Sequence, residues 1–129
     1  MNKYLLLPLL LALGCGPALA DWVRISTSET SVFYIDSAIS PKVGANVMVW
    51  ILRDHSAPQV GAGGPFASSK DQIEIDCAGR RVRRIYSSDH PQAMGQGKMV
   101  HSEHGPMSWN LASPNTIVKR IVDMACVHS

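Results

Sequence analysis

The first twenty residues constrain the fold most, because they decide whether the cysteines of this 129-residue chain can pair. A lysine near the start precedes an apolar run from Leu5 to Leu13, and an Ala-Leu-Ala site ends at Ala20. These are the three parts of a secretory signal peptide, and the run is too short to span a bilayer. We therefore expect residues 1–20 to be a signal peptide, cleavage between Ala20 and Asp21, and a folded domain over residues 21–129.

Removal of that segment would take away Cys15 and leave Cys77 and Cys126 in an oxidising compartment. Two cysteines in such a compartment are expected to form a disulfide. The bridge would enclose about fifty residues, for which the loss of chain entropy in the unfolded state is worth about 4 kcal/mol. A catalytic thiol is the competing interpretation, but the sequence has no Cys-x-x-Cys pair to support it.

The junction before Cys15 leaves two locations open. Gly14-Cys15 resembles a bacterial lipoprotein signal, although Leu13 is bulky where such signals have a small residue. The Ala-Leu-Ala site matches its processing rule better. We expect a periplasmic or secreted product after signal-peptide cleavage, with an outer-membrane lipoprotein anchored through Cys15 as the alternative.

Size and charge exclude several classes of protein. Cleavage after Ala20 would leave 109 residues with a net charge of 11 − 10 = +1, because Lys3 is lost. A chain of this length supports one hydrophobic core, and a near-neutral charge argues against nucleic-acid binding. The basic cluster of Arg80, Arg81, Arg83 and Arg84 divides between the two faces of a strand, so we interpret it as a solvated surface.

Hydrophobic periodicity predicts a sheet followed by one helix. Runs with period two or of strand length indicate strands, and Ala78-Gly79 is a candidate turn between two of them. A stretch rich in Gly and Pro, residues 58–69, indicates a mobile surface loop. The predicted strands are residues 22–26, 31–35, 47–52, 71–77, 80–87 and 98–102.

Residues 113–126 carry the one helix pattern. Ser113 is a candidate cap and Pro114 suits the first helical position, so we predict a helix from about Asn115 to Cys126. Apolar residues recur along it at three- and four-residue spacing. The apolar stripe should pack on the sheet and bring Cys126 to Cys77. We predict an α+β fold: an antiparallel sheet of five to six strands, a C-terminal helix on one face and one disulfide.

Candidate chemistry is sparse. His101, Glu103 and His104 are of metal-ligating type, but on a strand His104 would face away from the other two. No Gly-x-Ser-x-Gly elbow or pair of carboxylates suggests a hydrolase. We expect no catalytic, cofactor-binding or metal-binding residues, no cofactor and no enzyme activity.

The three tryptophans are the remaining candidates for contact residues. Trp50 lies in an apolar run and is expected to pack in the core. Trp22, at a strand start, and Trp109, in a polar stretch, could serve either as packing residues or as anchors in a binding face.

From Trp22 to Cys126 the chain resembles the surface-adhesin protein E family of Gram-negative bacteria. The order and spacing of several short elements carry this resemblance. These elements are Trp22, residues 33–36, residues 49–52, Ser69-Lys70, residues 75–77, residues 80–84, Trp109, Ser113-Pro114 and Cys126. The resemblance implies an antiparallel sheet with a C-terminal helix, a bridge between Cys77 and Cys126, and a surface protein that dimerises and binds host matrix components.

Two classes of function follow from these observations. The first is an exported, non-enzymatic binding module that recognises a protein or envelope component through a sheet face or edge, with a homodimer as one form. The alternative is a small periplasmic metal-binding protein or enzyme that uses His101, Glu103 and His104. A structural role through self-association is a third hypothesis.

Overall fold

The computed structural model describes residues 21–38, 40–43 and 46–127, so the predicted signal peptide, with Cys15 and Ala20, lies outside the described residues. Within these ranges, eight strands and a short 3-10 helix (Ala93–Gly95) precede one α-helix. In chain order the strands and the α-helix are β1 (Trp22–Thr27), β2 (Ser31–Asp36), β3 (Ser40–Val43), β4 (Asn46–Gly61), β5 (Gly64–Asp76), β6 (Arg81–His90), β7 (His101–His104), β8 (Asn110–Leu111) and α1 (Ile117–Cys126).

The strands form one antiparallel sheet. Six of them pair in the order β1-β2-β4-β5-β6-β7, while the short strands β3 and β8 add to β4 and β6. Every pairing is antiparallel, as is typical of neighbouring strands joined by hairpins. The predicted α+β class, with a helix on one face of an antiparallel sheet, is confirmed.

The core lies between the sheet and α1, on what we call the helix side. Alternate residues of β4 and β5 point to this side, and Val49 and Ile75 are almost completely buried there. Ile121, Val122 and Ala125 of α1 close the same cluster. The apolar stripe predicted from helical spacing is thus the face of α1 that packs on the sheet.

The helix begins later than predicted. Thr116, not Ser113, is the N-cap: its side chain accepts a hydrogen bond from the amide of Lys119 at 3.2 Å. Asn115 has a φ of 61°, which is incompatible with a helix. The predicted start near residue 115 was therefore wrong, because residues 114–115 form a turn that leads into α1.

The predicted disulfide joins Cys77, just after β5, to Cys126, the last residue of α1. The two Cα atoms are 5.7 Å apart, within the range that a disulfide spans. The bridge ties the C-terminal end of α1 to the sheet.

The predicted mobile loop over residues 58–69 was wrong. β4 continues to Gly61 and β5 begins at Gly64, so this stretch is the far end of a long hairpin. Glycine is used here for close approach: a Cβ on Gly63 would overlap the carbonyl of Val100. Gly and Pro mark the bent, largely exposed end of two paired strands instead of ending them.

Candidate functional site

We call the sheet surface opposite α1 the open face. Side chains of β4, β5 and β6 alternate to it from the helix side, so Trp50, Gln72 and Tyr86 line up across three strands. Trp50 is half-buried here and does not belong to the core cluster. The prediction that Trp50 packs in the core was wrong, because the apolar run of β4 supplies both faces of the sheet.

A cleft of about 340 Å³ opens on this face, and we call it the aromatic cleft. Its walls are mainly apolar. It is lined by Trp22, Asp36, Trp50, Lys70, Tyr86, Ser88, His90 and Met99.

Tyr86 organises the middle of the aromatic cleft. Its ring meets Trp50 edge-on, with centroids 6.1 Å apart and planes at 77°, and lies 4.9 Å from the His104 ring. Its hydroxyl donates a hydrogen bond to Met99 Sδ at 3.3 Å. These contacts hold the aromatic rings in fixed orientations, so their exposed surfaces are available without rearrangement.

One cation lies at the rim of the aromatic cleft. Lys70 makes no hydrogen bond or ion pair with any side chain in the described part of the chain. Its stem packs along the backbone of Gly95, which leaves the ammonium group to solvent or to a ligand. The nearby Asp36 carboxylate accepts from the amide of Ala38 at 2.9 Å, as a turn residue does.

The loop after β6 supplies Met99 to the aromatic cleft and is held by polar side chains from the open face. Ser68 Oγ donates to the carbonyl of Gln92 at 2.6 Å and accepts from the amide of Gly95 at 2.8 Å. Asp54 accepts from the amide of Met94 at 2.9 Å. Because Ser68 is fully buried, these hydrogen bonds attach the first part of the loop to the sheet.

Trp109 lies elsewhere on the open face, stacked over two arginines. The guanidinium carbons of Arg81 and Arg83 are each 4.4 Å from its ring centroid. Arg81 pairs with Asp76 at 2.9 Å and Arg83 with Glu74 at 2.7 Å. The Arg83 hydrogen bond lowers the pKa of Glu74. This half of the basic cluster is therefore a built structure and not the solvated surface that we predicted.

The metal-ligand hypothesis places His101, Glu103 and His104 together, but β7 separates them. His101 and Glu103 lie on the helix side, with His101 Nε2 at 3.2 Å from Glu103 Oε1, while His104 packs against Tyr86 on the open face. Across the described ranges, no three His, Cys, Asp or Glu side chains are grouped so that they could hold a metal ion.

A chain of hydrogen bonds crosses the helix side beyond the end of α1. Ser69 Oγ donates to Asp89 at 2.8 Å, so it accepts from His55 Nε2 at 3.4 Å, and His55 Nδ1 accepts from Ser31 Oγ at 2.9 Å. Burial and then the charge of Arg53 lower the pKa of His55. Burial therefore favours the neutral imidazole, which can donate from Nε2 to Ser69 and accept at Nδ1 from Ser31.

Ser31 and His55 have the spacing of a nucleophile and its base, but other features of a hydrolase are lacking in the described residues. Ser31 is only 5% exposed, and the His55 ring nitrogens contact two serines, without a carboxylate to orient the ring. The hydrogen bonds satisfy buried polar groups and connect neighbouring strands from β2 to β6.

Sequence reasoning missed the aromatic cleft because its residues come from five strands and one loop. The periodicity of each strand placed Trp50 and Tyr86 on strands, but it could not show which rings would meet. A usable signal was present: Trp50 and Leu52 alternate with Val49 and Ile51, so one apolar run was long enough to supply two faces.

In the described residues, no helix combines the length and the apolar character that crossing a membrane requires. The family model described as surface-adhesin protein E matches residues 22–127. No curated protein matches the chain in sequence.

Solved structures with a similar fold include protein E of Haemophilus influenzae. Crystal form II of that protein has a TM-score of 0.67 and 13% identity, covering 87% of this chain and 91% of the other. A second structure of it has a TM-score of 0.63 and 14% identity, covering 87% and 88%. Protein E from non-typeable Haemophilus influenzae has a TM-score of 0.56 and 13% identity, covering 84% and 86%. At these identities the similarity establishes the fold.

Proposed function

This chain belongs to the surface-adhesin protein E family, and from that premise we propose that it binds an extracellular or envelope protein through the aromatic cleft. Family membership makes it an adhesin-like, exported binding module. The finer assignment, which concerns the surface used and the class of partner, is our own.

The observation that carries the proposal is that Trp22, Trp50 and Tyr86 line a mainly apolar cleft outside the core. Tryptophan and tyrosine are enriched among the residues that dominate binding energies, especially where they line a pocket. The volume of about 340 Å³ is at the lower end of the range for ligand sites and accepts a large side chain of a partner. Lys70 at the rim favours a partner with an acidic residue beside that side chain.

The binding test compares Trp50→Ala and Tyr86→Ala with Trp109→Ala, which removes an equally large ring from the same face outside the cleft. Purified protein is titrated onto immobilised basement-membrane matrix and onto isolated envelope vesicles. Each cleft variant should bind about thirtyfold more weakly, as expected for the loss of about 2 kcal/mol at a hot spot, while Trp109→Ala binds like the wild type.

Two results would count against the proposal in different ways. Equal binding by wild type and cleft variants would remove the aromatic cleft as the contact surface. Binding by none of the proteins to either surface would argue against the adhesin-like activity in these settings.

We further propose that the protein is non-enzymatic. The supporting observation is the burial of Ser31 and the missing carboxylate partner of His55 among the described residues. Covalent labelling of Ser31 by a fluorophosphonate probe would contradict this proposal, since such labelling requires an activated and accessible serine.

We also propose that the exported form begins at Asp21 after cleavage at Ala20 and occupies the periplasm or the medium. Mass spectrometry of the protein isolated from its natural host should find Asp21 as the first residue. A diacylated Cys15 at the N-terminus would instead identify an outer-membrane lipoprotein.

The homodimer implied by the family resemblance stays a prediction. Among the described strands, β1 pairs only with β2, so its outer edge is free to add a strand from a second copy. A molar mass that stays at one chain over a wide concentration range would contradict it.

A further inference from the structure

On the helix side, beyond the end of α1, two cavities of about 370 and 170 Å³ share two residues, Arg53 and Arg84. The two cavities are therefore neighbours, and we call the pair the dipolar pocket. It lies on the opposite side of the sheet from the aromatic cleft, because Ile73 and Arg84 are register partners on the core-facing side.

The two arginines differ in their ion pairing: Arg53 is paired with a carboxylate and Arg84 is not, within the described residues. Arg53 forms two hydrogen bonds with Asp71, at 2.7 and 3.2 Å, and Asp71 also accepts from Ser87 at 2.8 Å. Asp71 is 5% exposed, so this pair is a satisfied, buried unit. The Arg84 guanidinium has no ion-pair or hydrogen-bond partner within the described part of the chain, although it is half-buried. A fork of five donors therefore faces the cavity unused.

The smaller cavity also presents negative charge. Asp89 uses Oδ1 to accept from Ser69, and Glu103 uses Oε1 to meet His101. The second oxygen of each carboxylate accepts no hydrogen bond from the described residues and is available to a donor. Across both cavities, Arg53 and Arg84 face the carboxylates of Asp71, Asp89 and Glu103, which gives a formal charge of −1. A bare anion such as phosphate is therefore not favoured, whereas a molecule with both charges is.

The larger cavity supplies an apolar continuation. Ile73, Val82 and Met107 line it next to Arg84. Met107 is held there by its amide, which donates to the carbonyl of Arg84 at 2.9 Å. A ligand whose charged head contacts Arg84 can thus place a hydrocarbon chain against these three residues.

We propose that the dipolar pocket binds a free α-amino acid with an apolar side chain. The carboxylate pairs with Arg84, the ammonium group is held between Asp89 and Glu103, and the side chain occupies the cavity lined by Ile73, Val82 and Met107. A free amino acid is the simplest molecule that carries adjacent charges of both signs and a hydrocarbon tail. This binding is independent of the proposed contact through the aromatic cleft.

The test uses L-leucine as the probe, added to the disulfide-bonded protein and followed by the amide signals of β6 and β7 in two-dimensional NMR. Two matched compounds each lack one charge: 4-methylpentanoate has no ammonium group and 3-methylbutylamine has no carboxylate. Leucine should bind at least about tenfold more tightly than either, since each loses a charge-assisted hydrogen bond. Glycine, which lacks the tail, should also bind more weakly.

The protein variants separate Arg84 from a general effect of charge. Arg84→Met should reduce leucine affinity by about tenfold or more, whereas Arg24→Met, on the exposed edge strand β1, should leave it unchanged. If Arg84→Met does not fold, Glu103→Gln is used, because Glu103 is half-exposed; it should weaken leucine binding and leave 4-methylpentanoate binding unchanged.

The proposal is overturned if leucine at about 10 mM, enough to detect a Kd of a few millimolar, shifts no signal of β6 or β7. It is also overturned if leucine binds the wild type and Arg84→Met equally. Binding of 4-methylpentanoate as tight as that of leucine would show a simple carboxylate site, which contradicts the role given to Asp89 and Glu103.

Discussion

The two faces of the sheet are made by the same strands but end in different states. On the helix side Ile75 has no exposed surface, and α1 with its disulfide covers the apolar residues around it. On the open face Trp50 and Tyr86 meet edge-on but line a cleft that no helix covers among the described residues. Packing accounts for the first face. The open face keeps apolar surface exposed, as expected of a surface that binds a partner.

The largest loss of stability is expected when the disulfide that ties α1 to the sheet is removed. Replacing both Cys77 and Cys126 by serine should lower the free energy of unfolding by about 4 kcal/mol, because the bridge closes a loop with a sequence separation of 49 residues. Urea unfolding of the variant and of the wild type checks the value. Reduced wild-type protein is the control and should unfold like the variant. A loss below about 1 kcal/mol would contradict the value expected from the entropy of the unfolded chain.

A medium effect separates the two faces directly. Ile75→Ala should cost about 3 kcal/mol, because it leaves a cavity in the core. Trp50→Ala should cost only about 1 kcal/mol, because the ring is half-buried and much of its surface already contacts solvent. Urea unfolding of both variants measures the difference. Equal losses would show that the open face is a second core and would weaken its assignment as a binding surface.

The smallest expected effect is the pH dependence of stability that His55 causes on the helix side. Burial lowers the pKa of His55 below its ordinary value of 6.5, so the folded protein binds this proton less readily than the unfolded chain. Neutral His55 makes its full contribution to the free energy of unfolding above pH 6.5. This contribution decreases as the pH falls from 6.5 through the folded-state pKa.

Thermal unfolding between about pH 7 and pH 5 measures this decrease, and His55→Asn should make the profile flatter. His104→Asn, which changes an exposed histidine on the open face, is the matched control and should keep the wild-type slope. Glu74 affects stability in a separate, lower pH range. Because its pKa is lowered, its contribution to the free energy of unfolding is lost only as the pH falls below 4.5. An unchanged slope in His55→Asn would show that another group titrates on folding.

Predictions from local sequence patterns were confirmed where a pattern is compatible with only one local structure. The alternation of residues 71–77 placed Ile73, Ile75 and Cys77 on one face, and the stripe of α1 placed Cys126 within reach of Cys77. The prediction for residues 58–69 failed because Gly and Pro also occur at the bent, exposed end of paired strands.

The prediction for residues 98–102 was shifted, since β7 is His101–His104. Residues 98–100 are exposed, and Met99 lies in the aromatic cleft, where it accepts the hydrogen bond of Tyr86. The backbone still contacts β6 before the strand begins, because the amide of Val100 donates to the carbonyl of Asp89 at 2.9 Å. Local propensity is weak over so few residues.

Periodicity and spacing are properties of the chain, and they were enough to predict the class of fold, the C-terminal helix, the pairing of Cys77 with Cys126 and the resemblance to the family. The folded molecule was needed to show that Trp50 and Tyr86 share a cleft and that Arg84, beside a paired Arg53, has no ion-pair partner among the described residues. The physical reason is that strand register and one bulge in β6 select which side chains from distant segments meet. No local pattern encodes that choice.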